Sequence, residues 1–182
     1  MEQSRYSLPS ILLHWTMALA ILLAWGGMQL AEALPRGSAR TLIIGGHALF
    51  GLGVLALLLP RLLARWLGGA PGAAAGTPEW ERRLAGAMHL LLYVLMLALP
   101  LSGIATALTG RAPFEVAGLL TIPNAFAGSG LRRMVKEVHE LLANGMLAVV
   151  ALHVAATLWH AVIRRDDVAG RMIPHLSRKA TG

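Results

Sequence analysis

The chain has 182 residues, 56% of them hydrophobic and only 14% charged, with a mean hydropathy of +0.62 and a formal net charge of +7. A soluble domain carries about 25% charged residues, so a water-surrounded globule is excluded. There is no cysteine, which removes disulfides, thiol catalysis and iron–sulfur clusters.

Four apolar runs remain, at about residues 11–31, 42–63, 84–108 and 138–163. Each has the ~20 residues a helix needs to cross a ~30 Å hydrocarbon core. Spanning strands are excluded by these lengths and by the lack of alternating polarity, because backbone in lipid must satisfy its own hydrogen bonds. The predicted fold class is all-α: an integral membrane four-helix bundle, one domain over residues 1–182.

The first run follows Arg5 and carries His14. Ala31-Glu32-Ala33 has the form of a signal cleavage site, but a signal h-region is only about 7–15 residues. A retained helix is therefore expected. The second run carries His47 near its start, with Gly45, Gly46, Gly51 and Gly53 around and after it. Small residues there leave room for a flat cofactor, or simply let membrane helices approach closely.

A Gly/Ala-rich linker fills residues 64–83 and ends in Thr77-Pro78-Glu79, read as an N-cap, a first-turn proline and a first-turn acid. The third helix is expected to begin there, ahead of its apolar run, which carries His89. Residues 109–136 mix apolar positions with Pro113, Pro123 and Gly128 and read as a cap over the bundle. The fourth run carries His139, His153 and His160, and His175 falls in a polar tail where it is expected to be solvated.

Four spans place both termini on one side. That side holds ten Lys and Arg residues, and the other holds six: Arg36, Arg40, Arg111, Arg132, Arg133 and Lys136. The positive-inside rule then puts both termini in the cytoplasm.

Ionisable side chains are costly in hydrocarbon, so each intramembrane histidine is a functional candidate. His139 and His153 are 14 residues apart, within about 40° of whole turns and about 21 Å along the axis. His47 enters at the depth of His139 and His14 at the depth of His153. The predicted pairs are His47 with His139 and His14 with His153, each an axial pair for a haem. Without cysteine there is no thioether attachment, so the haems would be b-type. An iron with two imidazoles has no open position and carries electrons. The alternative is that each histidine only hydrogen-bonds between helices. One zinc site for all four is excluded by the separation.

Pairing His139 with His160 would part the haems by about 31 Å, so His160 is better placed beside a quinone headgroup or a propionate; the alternative is an interfacial histidine. His89 is the reserve ligand or a second quinone contact, with Arg82 and Arg83 as candidate headgroup or propionate contacts. Arg132, Arg133 and Lys136, just before His139, form a cluster suited to steering an anion, to propionates or to lipid headgroups.

Arg5-Tyr6, Leu13-His14-Trp15, Gly46-His47 and Arg61-Leu62-Leu63 with Arg65 resemble the bacterial cytochrome b561 family. So do His89-Leu90-Leu91-Leu92-Tyr93, Ala98-Leu99-Pro100 with Gly103, and His139-Glu140 with His153 and His160. The resemblance covers nearly the whole chain and is strongest to the short four-helix di-haem members of superoxide oxidase type. It implies a bacterial inner-membrane protein with two haem b groups on His14, His47, His139 and His153. The implied activity is superoxide oxidation at the periplasmic face with ubiquinone reduced at the cytoplasmic face. The same family implies an alternative, an electron-transfer or anchor subunit serving a periplasmic redox protein. A haem-free transporter using a histidine proton relay is the remaining alternative. Membrane lipid is the expected surrounding, and no nucleic-acid partner is expected.

Overall fold

The computed structural model describes residues 5–72 and 76–173. His175, Arg178 and Lys179 lie outside the described residues. Four helices dominate: α1 (Leu8–Ala33), α2 (Ser38–Gly68), α3 (Glu79–Leu108) and α4 (Arg132–Trp159). With 26 to 31 residues each, they run about 39–47 Å and overshoot a hydrocarbon core at both ends.

That overshoot is where the helices depart from the predicted runs. Hydropathy marks only the part of a helix that lies in hydrocarbon, whereas the ends are set by local backbone signals. Pro9 falls in the first turn of α1, where its missing N–H costs nothing. Pro78 is the capping residue of α3, one position later than the Thr77 expected, and Glu79 and Glu81 occupy the first turn, where the helix dipole favours acids. Gly69, at φ 68°, ends α2 because a left-handed residue cannot continue the helix. After Trp159 the chain passes through a π-helical turn, His160–Arg164, closed by Arg165 at φ 55°.

The cap is more ordered than its sequence suggests. Strands β1 (Phe114–Val116) and β2 (Leu120–Ile122) pair antiparallel, with Phe114 opposite Ile122, Glu115 opposite Thr121 and Val116 opposite Leu120. The reversal takes Ala117 and Gly118 to φ 50° and 74°. Gly118 accepts this freely; Ala117 is held there by its seat on α2. A Cβ on Gly45 would lie 2.7 Å from Ala117 N and 3.1 Å from Glu115 O, so hairpin and helix touch backbone to backbone.

α1 packs along α2 and α3 along α4, and the two pairs join chiefly through α2 and α3. The core cluster is Met17, Ala20, Val54, Leu58, Leu95, Met96 and Met146. Large apolar residues such as Leu19, Leu22, Leu91, Val94 and Leu152 stay exposed on the outside, the surface a bilayer would cover. The architecture is a membrane four-helix bundle.

Candidate functional site

The helices bring four histidines together in two pairs, at opposite ends of the bundle. At the cap end the rings of His47 and His139 have centroids 6.1 Å apart and planes 89° apart. At the other end, beside both termini, the rings of His14 and His153 are 6.4 Å apart at 68°. Met146 lies seven residues from each of the α4 histidines, so the apolar core fills the space between the pairs.

These spacings are compatible with a metal held between the two rings of a pair. A metal–imidazole nitrogen bond is about 2 Å and the ring centre lies about 1.2 Å beyond it, so two imidazoles facing each other across one metal would have centres about 6.4 Å apart. Both pairs match that value.

The free ring nitrogens at the cap end are also assigned by their partners. His47 Nδ1 is 2.9 Å from the Ala24 carbonyl oxygen, which only accepts, so Nδ1 carries the hydrogen. His139 Nδ1 is 2.9 Å from Ser102 Oγ. That hydroxyl already donates to Leu99 O at 2.8 Å, so it accepts from His139. Both rings are left with Nε2 free to ligate, the orientation that outer hydrogen bonds impose on metal-binding histidines. Ser102 stands just beyond Pro100, within α3. Gly103 gives the ring room: a Cβ there would meet His139 Cε1 at 3.3 Å.

The other end is built differently. His14 Nδ1 is 3.1 Å from Arg61 Nη2. A third ring, His89, lies 5.7 Å from His153 and is hydrogen-bonded to the backbone of Ala85. Further out, His160 Nδ1 is 2.7 Å from Asp166 Oδ2 and its Nε2 is 3.4 Å from Glu81 Oε1. Arg164 binds the same Glu81 carboxylate at 3.0 and 3.1 Å. Arg82 and Arg83 do not join this network, since both turn to Glu79 on the exposed start of α3.

At the cap end Arg133 pairs with Glu137 at 2.7 Å and Lys136 with Glu140 at 2.5 Å. Among the described residues, no carboxylate pairs with Arg132. The glycines separate into two kinds. Gly45 carries the cap, whereas a Cβ on Gly46, Gly51, Gly53 or Gly145 would meet nothing within 4 Å. Close helix approach therefore does not explain the second set.

Residues 5–175 match the family described as prokaryotic cytochrome b561. The chain belongs to that family. Among its relatives, cytochrome b561 homolog 1 of Escherichia coli K12 is 31% identical over 94% of this chain and 98% of its own. A protein of Yersinia pestis named probable superoxide oxidase CybB is 29% identical over 93% of this chain and 96% of its own. Cytochrome b562 of Cereibacter sphaeroides is 26% identical over 94% of this chain and 97% of its own. Family membership makes this b561 cytochrome a bacterial membrane electron-transfer protein, and the family's group is b-type haem.

The residues that sequence reasoning misses are mostly partners. Ser102 and the Ala24 carbonyl orient rings, Asp166 and Glu81 hold His160, and Arg61 holds His14. Of these only Arg61 gives a sequence signal, as a charge inside an apolar run and as part of the family-like Arg61-Leu62-Leu63 stretch, but neither points to His14.

Proposed function

We propose that this cytochrome holds two b-type haems, one between His47 and His139 and one between His14 and His153. It would oxidise superoxide at the cap end, facing the periplasm, and reduce ubiquinone at the end bearing both termini, facing the cytoplasm. The observation that carries this reading is the pair of ring separations, 6.1 and 6.4 Å, at depths about 21 Å apart along α4.

The haem would supply one-electron transfer when bound, with His14, His47, His139 and His153 as the residues that would hold it. Two superoxide anions each give up one electron and leave as O2; the quinone takes two electrons and two protons. The protein's part is to hold four rings, keep water out of the Met17–Met96–Met146 core and supply the protons. His160 suits the last task. Its Nδ1 side is fixed by Asp166 and its Nε2 faces Glu81, so the ring joins two carboxylates in a chain along which a proton can be passed. Support for superoxide as donor comes from the likeness to the Yersinia pestis protein.

Haem-replete protein supplied with ubiquinone and a superoxide source tests the reaction: superoxide-dependent quinol formation is expected, and its absence overturns the reading. His160→Ala should keep both haems and slow quinone reduction; unchanged turnover would remove His160 from the site and make His89 the next candidate.

One observation favours a second reading. Leu119, Leu120 and Phe126 are exposed on the cap, a surface on which a periplasmic redox protein could seat. Purification with a stoichiometric partner subunit would replace the enzyme with an electron-transfer module.

A further inference from the structure

Arg61 and Arg65 stand one turn apart on the same face of α2. They line one pocket with Tyr6, Ser10, Tyr93 and Met172. Arg61 Nη1 donates to Ser10 O at 3.2 Å and Nη2 to His14 Nδ1 at 3.1 Å. Arg65 Nη1 donates to the Tyr6 hydroxyl at 3.2 Å and its guanidinium lies 5.9 Å from the centre of that ring. None of these partners carries a negative charge. Among the described residues no carboxylate pairs with either arginine: Glu79, Glu81 and Asp166 at this end are taken by Arg82, Arg83, Arg164 and His160, and Asp167, whose Oδ1 is buried without a hydrogen-bond partner, is paired with neither.

Two half-buried guanidinium groups with no counter-ion are costly in a low-dielectric site. Each has five N–H donors in a fork that matches a carboxylate; Arg61 spends some on Ser10, His14 and Tyr93, and those of Arg65 go to a neutral hydroxyl. Among the described residues no carboxylate lines this pocket, which leaves it suited to an anionic ligand. We infer that Arg61 and Arg65 are the carboxylate clamp of the haem held by His14 and His153, binding its propionates. This rests on the haem reading proposed above.

The contact with His14 gives the clamp a second consequence. Arginine only donates, so His14 Nδ1 accepts, and the neutral ring then carries its hydrogen on Nε2. A metal binds the ring nitrogen without hydrogen. Arg61 has to release His14 for a carboxylate if Nε2 is to serve as the ligand. Clamping the propionates and freeing the axial nitrogen are thus one movement of one side chain.

The test is a redox titration of the purified holoprotein followed by its visible spectrum. A His153→Ala sample identifies which of the two haem waves belongs to this end. Arg61→Gln should move that wave alone to lower potential, because an unneutralised propionate disfavours the added electron. Arg61→Lys, which keeps the charge, should stay nearer the parent. Arg65→Gln, which touches no histidine, should shift the same wave in the same direction. If Arg61→Gln loses this haem altogether, Arg65→Gln decides alone. Both waves at parent potential in Arg65→Gln, or equal shifts of both waves, overturn the clamp. A parent protein with no haem waves at all overturns the haem reading instead.

Discussion

The two histidine pairs are alike in spacing and unlike in what holds them. At the cap end the second nitrogen of each ring donates to a neutral acceptor, the Ala24 carbonyl for His47 and Ser102 for His139. At the opposite end His14 receives a hydrogen bond from an arginine, with a second arginine beside it. One pair is set by backbone and hydroxyl geometry, which leaves the Nε2 of each neutral ring without a hydrogen. The other stands beside two guanidinium groups that pair with no carboxylate among the described residues. If this end holds the haem proposed for it, the two cations beside it would favour the state with the extra electron.

The largest effect should come from removing ligands pair by pair. His47→Ala or His139→Ala should abolish one haem, and His14→Ala or His153→Ala the other, because no thioether retains a b-type group. Haem quantification with low-temperature spectra of the four variants checks this. If His14→Ala and His47→Ala lost the same haem, the pairing would be wrong.

A smaller loss should follow from disturbing the partner that orients a ring. Ser102→Ala removes the acceptor of His139 Nδ1 and releases the ring's preferred rotation. Outer-sphere partners of metal-binding histidines are typically worth about 10–100-fold in affinity. Haem retention during dilution or competition with an apo-acceptor should fall for the cap-end haem only. Equal loss at both ends would mean that Ser102 stabilises the bundle and not the site.

Much of this contrast between the two ends is legible in the amino-acid sequence, and the limits on reading it there are physical. The constant rise of a helix makes depth readable, which is why His139 and His153 can be matched with His47 and His14. Hydropathy locates the four spans but not their ends, since caps such as Pro78 and Gly69 lie in polar sequence. The hairpin in the cap is hard to read because its strands are three residues long and an alanine, not a glycine, takes one of its left-handed positions. A carbonyl such as that of Ala24 leaves no trace in a sequence. The His160 network needs the start of α3 to meet the chain after α4, a closure that no local pattern encodes.

The cap end has a mechanical dependence of its own, against backbone, whereas a Cβ on Gly68 at the opposite end would meet the Ser7 side chain at 2.7 Å. Gly45 lies two residues before His47 and carries the hairpin at backbone contact. Gly45→Ala would force a Cβ to 2.7 Å from Ala117 N, and overpacking of this kind costs about 1–3 kcal/mol. The expected results are a lower thermal midpoint and faster proteolysis within residues 114–122. Gly46→Ala next to it enters open space and is the control. Matching behaviour of the two variants would show that the hairpin does not depend on this seat.

The smallest expected effect concerns anion capture at the cap end. The charges there are not equivalent: Arg133 and Lys136 each lie against a glutamate one turn on, and a paired charge presents little net field. Arg132 has no such partner among the described residues, and its guanidinium reaches back toward Gly110, with Nη1 3.3 Å from where a Cβ would sit. Screening confines useful steering to about 8 Å at physiological ionic strength, so the unpaired charge should contribute most. Arg132→Gln should lower the superoxide rate roughly two- to threefold at low salt and flatten its salt dependence. Deleting a whole pair, Arg133→Gln with Glu137→Gln, keeps the net charge and should leave the rate nearly unchanged. Stopped-flow reduction of the haems across a salt series measures both. If the parent rate does not depend on salt, or if the two variants behave alike, steering by Arg132 is not operating and the cluster is better read as a site for lipid headgroups or propionates.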